Sequence, residues 1–180
     1  MKKLAAALLI VSTCVATSAF AQQRRAAAPA PAAAEPQFAV GVAYGLDYSG
    51  TLSIRGDMDI SRLTNGQPLK ARIGYDRASQ TYNWFGGSYT WTHSHFYGSA
   101  YYDFNKLLKL DRRLHPFAGA GYGFGSVSCS GSWCGGGWSS PSVGGVYVLG
   151  GIQYNVTNAI DVEASYNNFA GVSIGANFRF

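Results

Sequence analysis

The chain has 180 residues, the length of one ordinary domain, with 14 Lys and Arg against 9 Asp and Glu. The basic residues are scattered along it rather than gathered on one face, so its formal charge of +5 does not describe a nucleic-acid-binding surface.

Residues 1–21 fall into three zones: Lys2 and Lys3, an apolar stretch from Leu4 to about Ala16, and the small-residue site around Ala19 and Ala21. That order predicts a cleavable export signal cut after Ala21. Ser12, Thr13, Thr17 and Ser18 dilute the run as a membrane anchor, and Thr13 is a poor residue before a lipidated cysteine, which leaves Cys14 in the core of the signal. Without Lys2 and Lys3, 12 basic residues stand against 9 acidic ones, a net charge of +3. Residues 22–37 hold Arg24, Arg25, an alanine run and three of the six prolines, with nothing amphipathic, and read as a disordered lead-in.

From residue 38 to residue 180 the texture changes to aromatics, glycines and alternating polarity, with no sustained 3.6-residue stripe, which predicts an all-β domain. Segments bounded by turn signals are 38–47, 52–63, 69–76, 89–104, 116–126, 143–156, 160–167 and 171–180. Eight is an even number, as a closed antiparallel up-and-down transmembrane barrel needs. In the first, Phe38, Val40, Val42, Tyr44 and Leu46 oppose Ala39, Gly41, Ala43, Gly45 and Asp47. In the last, Val172, Ile174, Ala176, Phe178 and Phe180 oppose Gly171, Ser173, Gly175, Asn177 and Arg179.

The other face is informative because successive side chains point to opposite sides of a strand. It carries Arg55, Asp57 and Asp59, then Lys70, Arg72 and Asp76, then Asp161 and Glu163, and finally Arg179. Charges of both signs among glycines and serines fit a narrow polar lumen in which they pair; the exposed face of a soluble sheet is the plainer alternative. Asn65-Gly66 and Asn158-Ala159 predict tight hairpins at one end of the barrel. The connections 77–88 and 128–142 read as long loops at the other end, the outside one, because outer-membrane barrels alternate tight periplasmic turns with longer external loops. The connection 105–115, with Lys106, Lys109, Arg112 and Arg113, departs from that alternation and reads as a solvated turn.

Cys129 and Cys134, five apart in a Ser, Gly and Trp-rich segment of an exported chain, predict a disulfide across a loop tip. A shared metal is disfavoured because neither has a His or carboxylate within ten residues. His93 and His95, two apart on a strand, project to one face and make a weak pair of metal ligands, while Ser94 between them points the other way. A serine nucleophile needs its base within hydrogen-bond reach, so no catalytic residue, metal or cofactor is assigned. The loop aromatics Trp84, Phe85, Trp91, Trp133 and Trp138 suit a membrane–water boundary, and an adhesive or ligand-binding surface is the alternative.

The run from Leu114 to Gly123, with Pro116-Phe117 and the glycines at 119, 121 and 123, resembles the Pro-aromatic-x-Gly-x-Gly strand of the opacity-protein and OmpA-like small outer-membrane barrels. The stretches 150–154 and 161–166 and the ending Asn177-Phe178-Arg179-Phe180 are similar to that family's last three strands. The resemblance implies an eight-stranded barrel in the outer membrane, a surface or structural role, and contact with outer-membrane lipid and lipopolysaccharide. It implies Phe178 and Phe180 as the signal read by the barrel-assembly machinery. A partner on the cell surface is left unidentified by the sequence. Outer-membrane lipid A deacylases, which set a His, a Ser and a carboxylate on such a barrel, supply the enzymatic alternative.

Overall fold

The computed structural model describes residues 38–46, 50–135 and 137–180. The export signal expected at 1–21, the lead-in at 22–37 and Asp47 lie outside the described residues. Eight strands follow one another: β1 (Phe38–Gly45), β2 (Thr51–Asp59), β3 (Leu69–Trp84), β4 (Gly87–Asp103), β5 (Leu114–Gly131), β6 (Trp138–Asn155), β7 (Ile160–Asn167) and β8 (Gly171–Arg179). Each pairs antiparallel with the next, and β8 closes back on β1 with Val40 opposite Phe178 and Val42 opposite Ala176. The barrel is therefore the expected eight-stranded antiparallel one. Among the described residues no helix is long and apolar enough to cross a membrane.

The period-2 pattern sets the facing throughout. Arg72 and Glu163 are buried in the lumen, while Ile73, 71% exposed, and Val162 face outward with Val40, Ile54 and Ile174. The outward face is apolar over most of its height. At one end Tyr102 and Phe104 pair at 5.0 Å between ring centroids, in the zone of Tyr154 and Phe178. At the other, Tyr75, Phe96 and Phe124 lie side by side across three strands, with centroids 4.5 and 6.0 Å apart. Above that aromatic row the outward face turns to hydroxyls. Ser79 meets Thr92 at 3.1 Å and Thr81 meets Thr90 at 2.8 Å, with Ser126 and Ser128 on the next strand.

The strand lengths differ from expectation. β1, β2, β7 and β8 have 8 or 9 residues, close to the roughly 9–11 of a membrane-crossing strand. β3 to β6 have 16 to 18. The long loop expected at 77–88 is instead the upper half of a hairpin turned by Phe85 and Gly86, the latter at φ 77°. Its Thr, Tyr and Trp residues favour a pleated surface, and cross-strand pairs of such residues stabilise it. The loop expected at 128–142 likewise shrinks to 132–137. Consequently Trp84, Trp91 and Trp138 lie on strands, and only Phe85 and Trp133 sit in turns.

At the end that holds Phe38 and Phe180 one of the two tight turns expected, that at Asn65-Gly66, is absent. Residues 60–68 form a longer connection with a 3₁₀ turn over Ser61–Thr64, and Asn65 (φ 54°) and Gly66 (φ 79°) end that turn rather than forming a two-residue hairpin. The expected strand over 52–63 stops at Asp59, whose carboxylate accepts a hydrogen bond from the Ser61 amide (2.8 Å) and starts the turn. The basic connection contains a single helical turn, α1 (Asn105–Leu108); the Asn105 side chain ties it down by donating to the carbonyls of Asp111 and Leu114, both at 2.6 Å. Residues 156–159 form the short turn expected there, with Thr157 Oγ1 accepting from the amides of Ala159 and Ile160.

Candidate functional site

Because β2, β3 and β7 turn their charged faces inward, four ionised groups meet at mid-height in the lumen, with Asn177 of β8 beside them. Arg72 donates from Nε and Nη2 to the two oxygens of Asp57 (2.7 and 3.0 Å) and from Nη1 and Nη2 to those of Glu163 (3.1 and 2.9 Å). Arg55 Nη1 lies 2.7 Å from Glu163 Oε1, and Arg55 Nε donates to Asn177 Oδ1 (3.0 Å). Glu163 also accepts from Gln153 Nε2 (2.8 Å) and Asn177 Nδ2 (3.3 Å). All six side chains are buried. Two arginines against two carboxylates make the layer neutral, which is what burial demands, since one unpaired charge there costs several kcal/mol.

Rings continue the filling. Tyr101 and Phe117 pair at 4.9 Å, and the Arg72 guanidinium sits 5.0 Å from the Tyr101 ring and 5.4 Å from that of Phe117. Above Arg72, Tyr97 and Tyr147 stack at 4.1 Å, and His95 stacks on Phe169 at 4.2 Å. Tyr97 crosses onto β3 over Gly74, where a Cβ would overlap the ring. Asp76 is completely buried at this level and forms no ion pair among the described residues.

Below the central layer Arg179 meets Asp161 at 2.7 Å, and Lys70 meets Asp103 at 3.9 Å. Asp103 also lies 2.8 Å from His115 Nδ1. Asp59 takes no part in these pairs; it caps the 3₁₀ turn. Asn177, Gln153, Asp103 and His115 were not among the sequence candidates. The first two are uncharged, and the signal that marks them is only their place on the inward register.

The histidine pair does share the inner face, but His95 is stacked among rings while His93 stands two residues higher. Among the described residues no three His, Cys, Asp or Glu side chains converge as metal ligands would. Ser94 accepts a hydrogen bond from the Tyr75 hydroxyl on the outward face (3.0 Å). Cys129, on β5, and Cys134, in the turn after it, form a disulfide.

Above His95 the lumen opens into a cup of about 630 Å³, walled by Gln80, Tyr82, Tyr89, Trp91 and His93, with Phe169 at its base. Tyr82 and Tyr89 stack at 5.1 Å, and Trp91 meets Trp138 edge to face at 5.3 Å. In the projecting halves of β3 and β4 rings line the inside, as on β4 lower down, while the outer face changes from apolar residues to hydroxyls.

A closed antiparallel barrel with an apolar outer belt between aromatic zones and an ionised interior defines a transmembrane β-barrel. The chain belongs to the outer membrane protein β-barrel domain family, whose model matches residues 6–179, and its place is therefore the outer membrane. The fold is shared with the N-terminal β-barrel domain of Pseudomonas aeruginosa OprF (12% identity, 80% of this chain and 97% of that one, TM-score 0.56). It is also shared with a major outer membrane protein of Thermus thermophilus (15%, 82% and 100%, TM-score 0.53). A third is Ail, the attachment invasion locus protein of Yersinia pestis, in complex with the heparin analogue sucrose octasulfate (12%, 82% and 100%, TM-score 0.51). No curated protein matches the chain in sequence.

Proposed function

We propose that the protein is a non-enzymatic surface barrel of the outer membrane, exported by a cleaved signal, with a lumen closed to solutes and its tall strands facing outside. The observation that carries this reading is the lumen layer in which Arg55, Arg72, Asp57 and Glu163 bind one another across the barrel beneath the Tyr97–Tyr147 stack. Eight strands enclose an interior that side chains fill, and these fill it with paired charge and rings. A general pore needs a continuous water path, and a layer of paired side chains across the lumen argues against one. The outward hydrogen bond of Ser94 to Tyr75 supports the non-enzymatic part, because it separates the serine from both neighbouring histidines. Ail, a barrel of the same fold, was crystallised in complex with the heparin analogue sucrose octasulfate, which supports a surface-contact role.

The test is conductance across a planar lipid bilayer holding the refolded barrel, together with mass spectrometry of lipid A from cells with and without the protein. The expected results are no steady open channel and unchanged acylation. Stable channel steps of a water-filled pore, or an acyl chain missing only when the protein is present, would overturn the respective parts of the reading.

A further inference from the structure

We propose that the cup at the projecting end is a binding site for a neutral saccharide of two or three pyranose rings; this rests on the reading above that the tall strands face outside. The change of facing at the Tyr75–Phe96–Phe124 row is the first argument. Below it, apolar residues face outward, and the inward face of β3 carries Lys70, Arg72 and Asp76 while that of β4 mixes rings with polar groups. Above it, on the same unbroken strands, Ser79, Thr81, Thr90 and Thr92 face outward while Gln80, Tyr82, Tyr89 and Trp91 face inward. Cross-strand pairs stabilise a projecting hairpin on either face, and here the large rings stand on the open concave one. Tyr82, in the wall of the cup, remains 41% exposed. Exposed aromatic surface in a concave setting marks a binding site.

The lining chooses the ligand. Among the described residues that wall the cup there is no Lys, Arg, Asp or Glu, so there neither an anion nor a cation meets an opposite charge. The rings alternate with groups that donate or accept hydrogen bonds: Gln80, His93, the tyrosine hydroxyls and Thr51. An acyl chain would leave those groups unpaired, which costs affinity for every one that is buried. A pyranose presents a flat C–H face that stacks on an aromatic ring, and a rim of hydroxyls for polar partners. The cup's volume of about 630 Å³ falls within the range of small-molecule sites, roughly 300–1,000 Å³. Trp91 and the Tyr82–Tyr89 pair are assigned as stacking platforms, and Gln80 and His93 as the polar partners.

The experiment is isothermal titration calorimetry on the full barrel in lipid nanodiscs, free of sugar-based detergents. The probes are maltotriose, cellotriose and chitotriose, with sucrose octasulfate and a neutral tripeptide as controls. At least one neutral trisaccharide should bind more tightly than roughly 1 mM. Trp91→Ala should weaken it ten-fold or more, and Gln80→Ala several-fold, while Phe85→Ala at the turn tip leaves it unchanged; heat-modifiable gel migration checks that each variant is folded. Absence of binding by all three trisaccharides to folded protein overturns the proposal, as does binding indifferent to both Trp91→Ala and Gln80→Ala. Preference for sucrose octasulfate or the tripeptide overturns it equally. Each of these leaves the closed-barrel reading intact, since that fails only on conductance or lipid A.

Discussion

Replacing Arg72 by Met keeps most of the side chain's bulk and removes its charge, which isolates the electrostatic part of the lumen layer. In the native barrel two guanidiniums face Asp57 and Glu163, and Arg72 supplies four hydrogen bonds to them. After substitution Glu163 keeps Arg55, Gln153 and Asn177. Asp57 has no other ion-pair partner among the described residues, so the variant strands one carboxylate that is 7% exposed. Four charge-assisted bonds at about 1.5–3 kcal/mol each would exaggerate the loss, because their net value already includes desolvation. The governing quantity is one uncompensated buried charge, about 3–5 kcal/mol. The assay is reversible urea unfolding of the barrel in detergent micelles or bilayers, followed by tryptophan fluorescence. Adding Asp57→Leu to the variant should restore neutrality and recover most of the loss. A cost below about 1 kcal/mol for Arg72→Met, or a double variant less stable than the single one, would refute the claim that pairing governs the layer.

Three further outcomes are expected. Ile174→Arg, on the outward face of β8 and 57% exposed, should cost about 2–4 kcal/mol in the same unfolding assay if it lies near the bilayer midplane, and its neighbour Ser173→Ala on the inward face far less. Deleting Phe180 should lower the amount of heat-modifiable barrel in the outer membrane, measured by fractionation; unchanged levels would remove it as an assembly signal. Alkylation of protein kept oxidised should label neither Cys129 nor Cys134, and Cys134→Ser should cost at most about 2 kcal/mol, since the closed loop is short.

The alternation in β1, β7 and β8 makes the eight-stranded barrel legible, because a lipid-facing residue and a lumen-facing residue obey opposite demands at every second position. The same rule puts Arg55, Arg72 and Glu163 on one face. It leaves open which carboxylate meets which arginine, since that depends on the closure of β8 against β1, and Arg55 and Asn177 stand 122 positions apart. Residues 77–88 and 128–142 read as loops in the sequence for a physical reason. Their period of two persists, but the outer face turns from apolar residues to hydroxyls above the aromatic row, so a search for a continuous apolar face loses the strand where it leaves the lipid. Serines and glycines around Cys129 strengthen that impression. The cup is legible only as aromatic content: until Gln80, Tyr82, Tyr89 and Trp91 are placed on the inner face of strands, the sequence does not distinguish a wall from a boundary decoration.

The unequal heights of the strands bring back something that closure had removed. Pairing of β3 with β2 begins at Arg77 opposite Leu52, and pairing of β6 with β7 begins at Leu149 opposite Asn167. Above those points, among the described residues, the projecting four-stranded sheet has no strand paired to either margin. On the β6 margin Pro141 withholds an amide donor, and Asn168 occupies the main chain by accepting from the Val148 amide (3.0 Å) and donating to the Val146 carbonyl (2.8 Å). The β3 margin, residues 78–84, carries neither a proline nor a charge. This short margin is thus the part of the sheet edge that lacks the devices by which proteins keep such an edge from pairing with another chain.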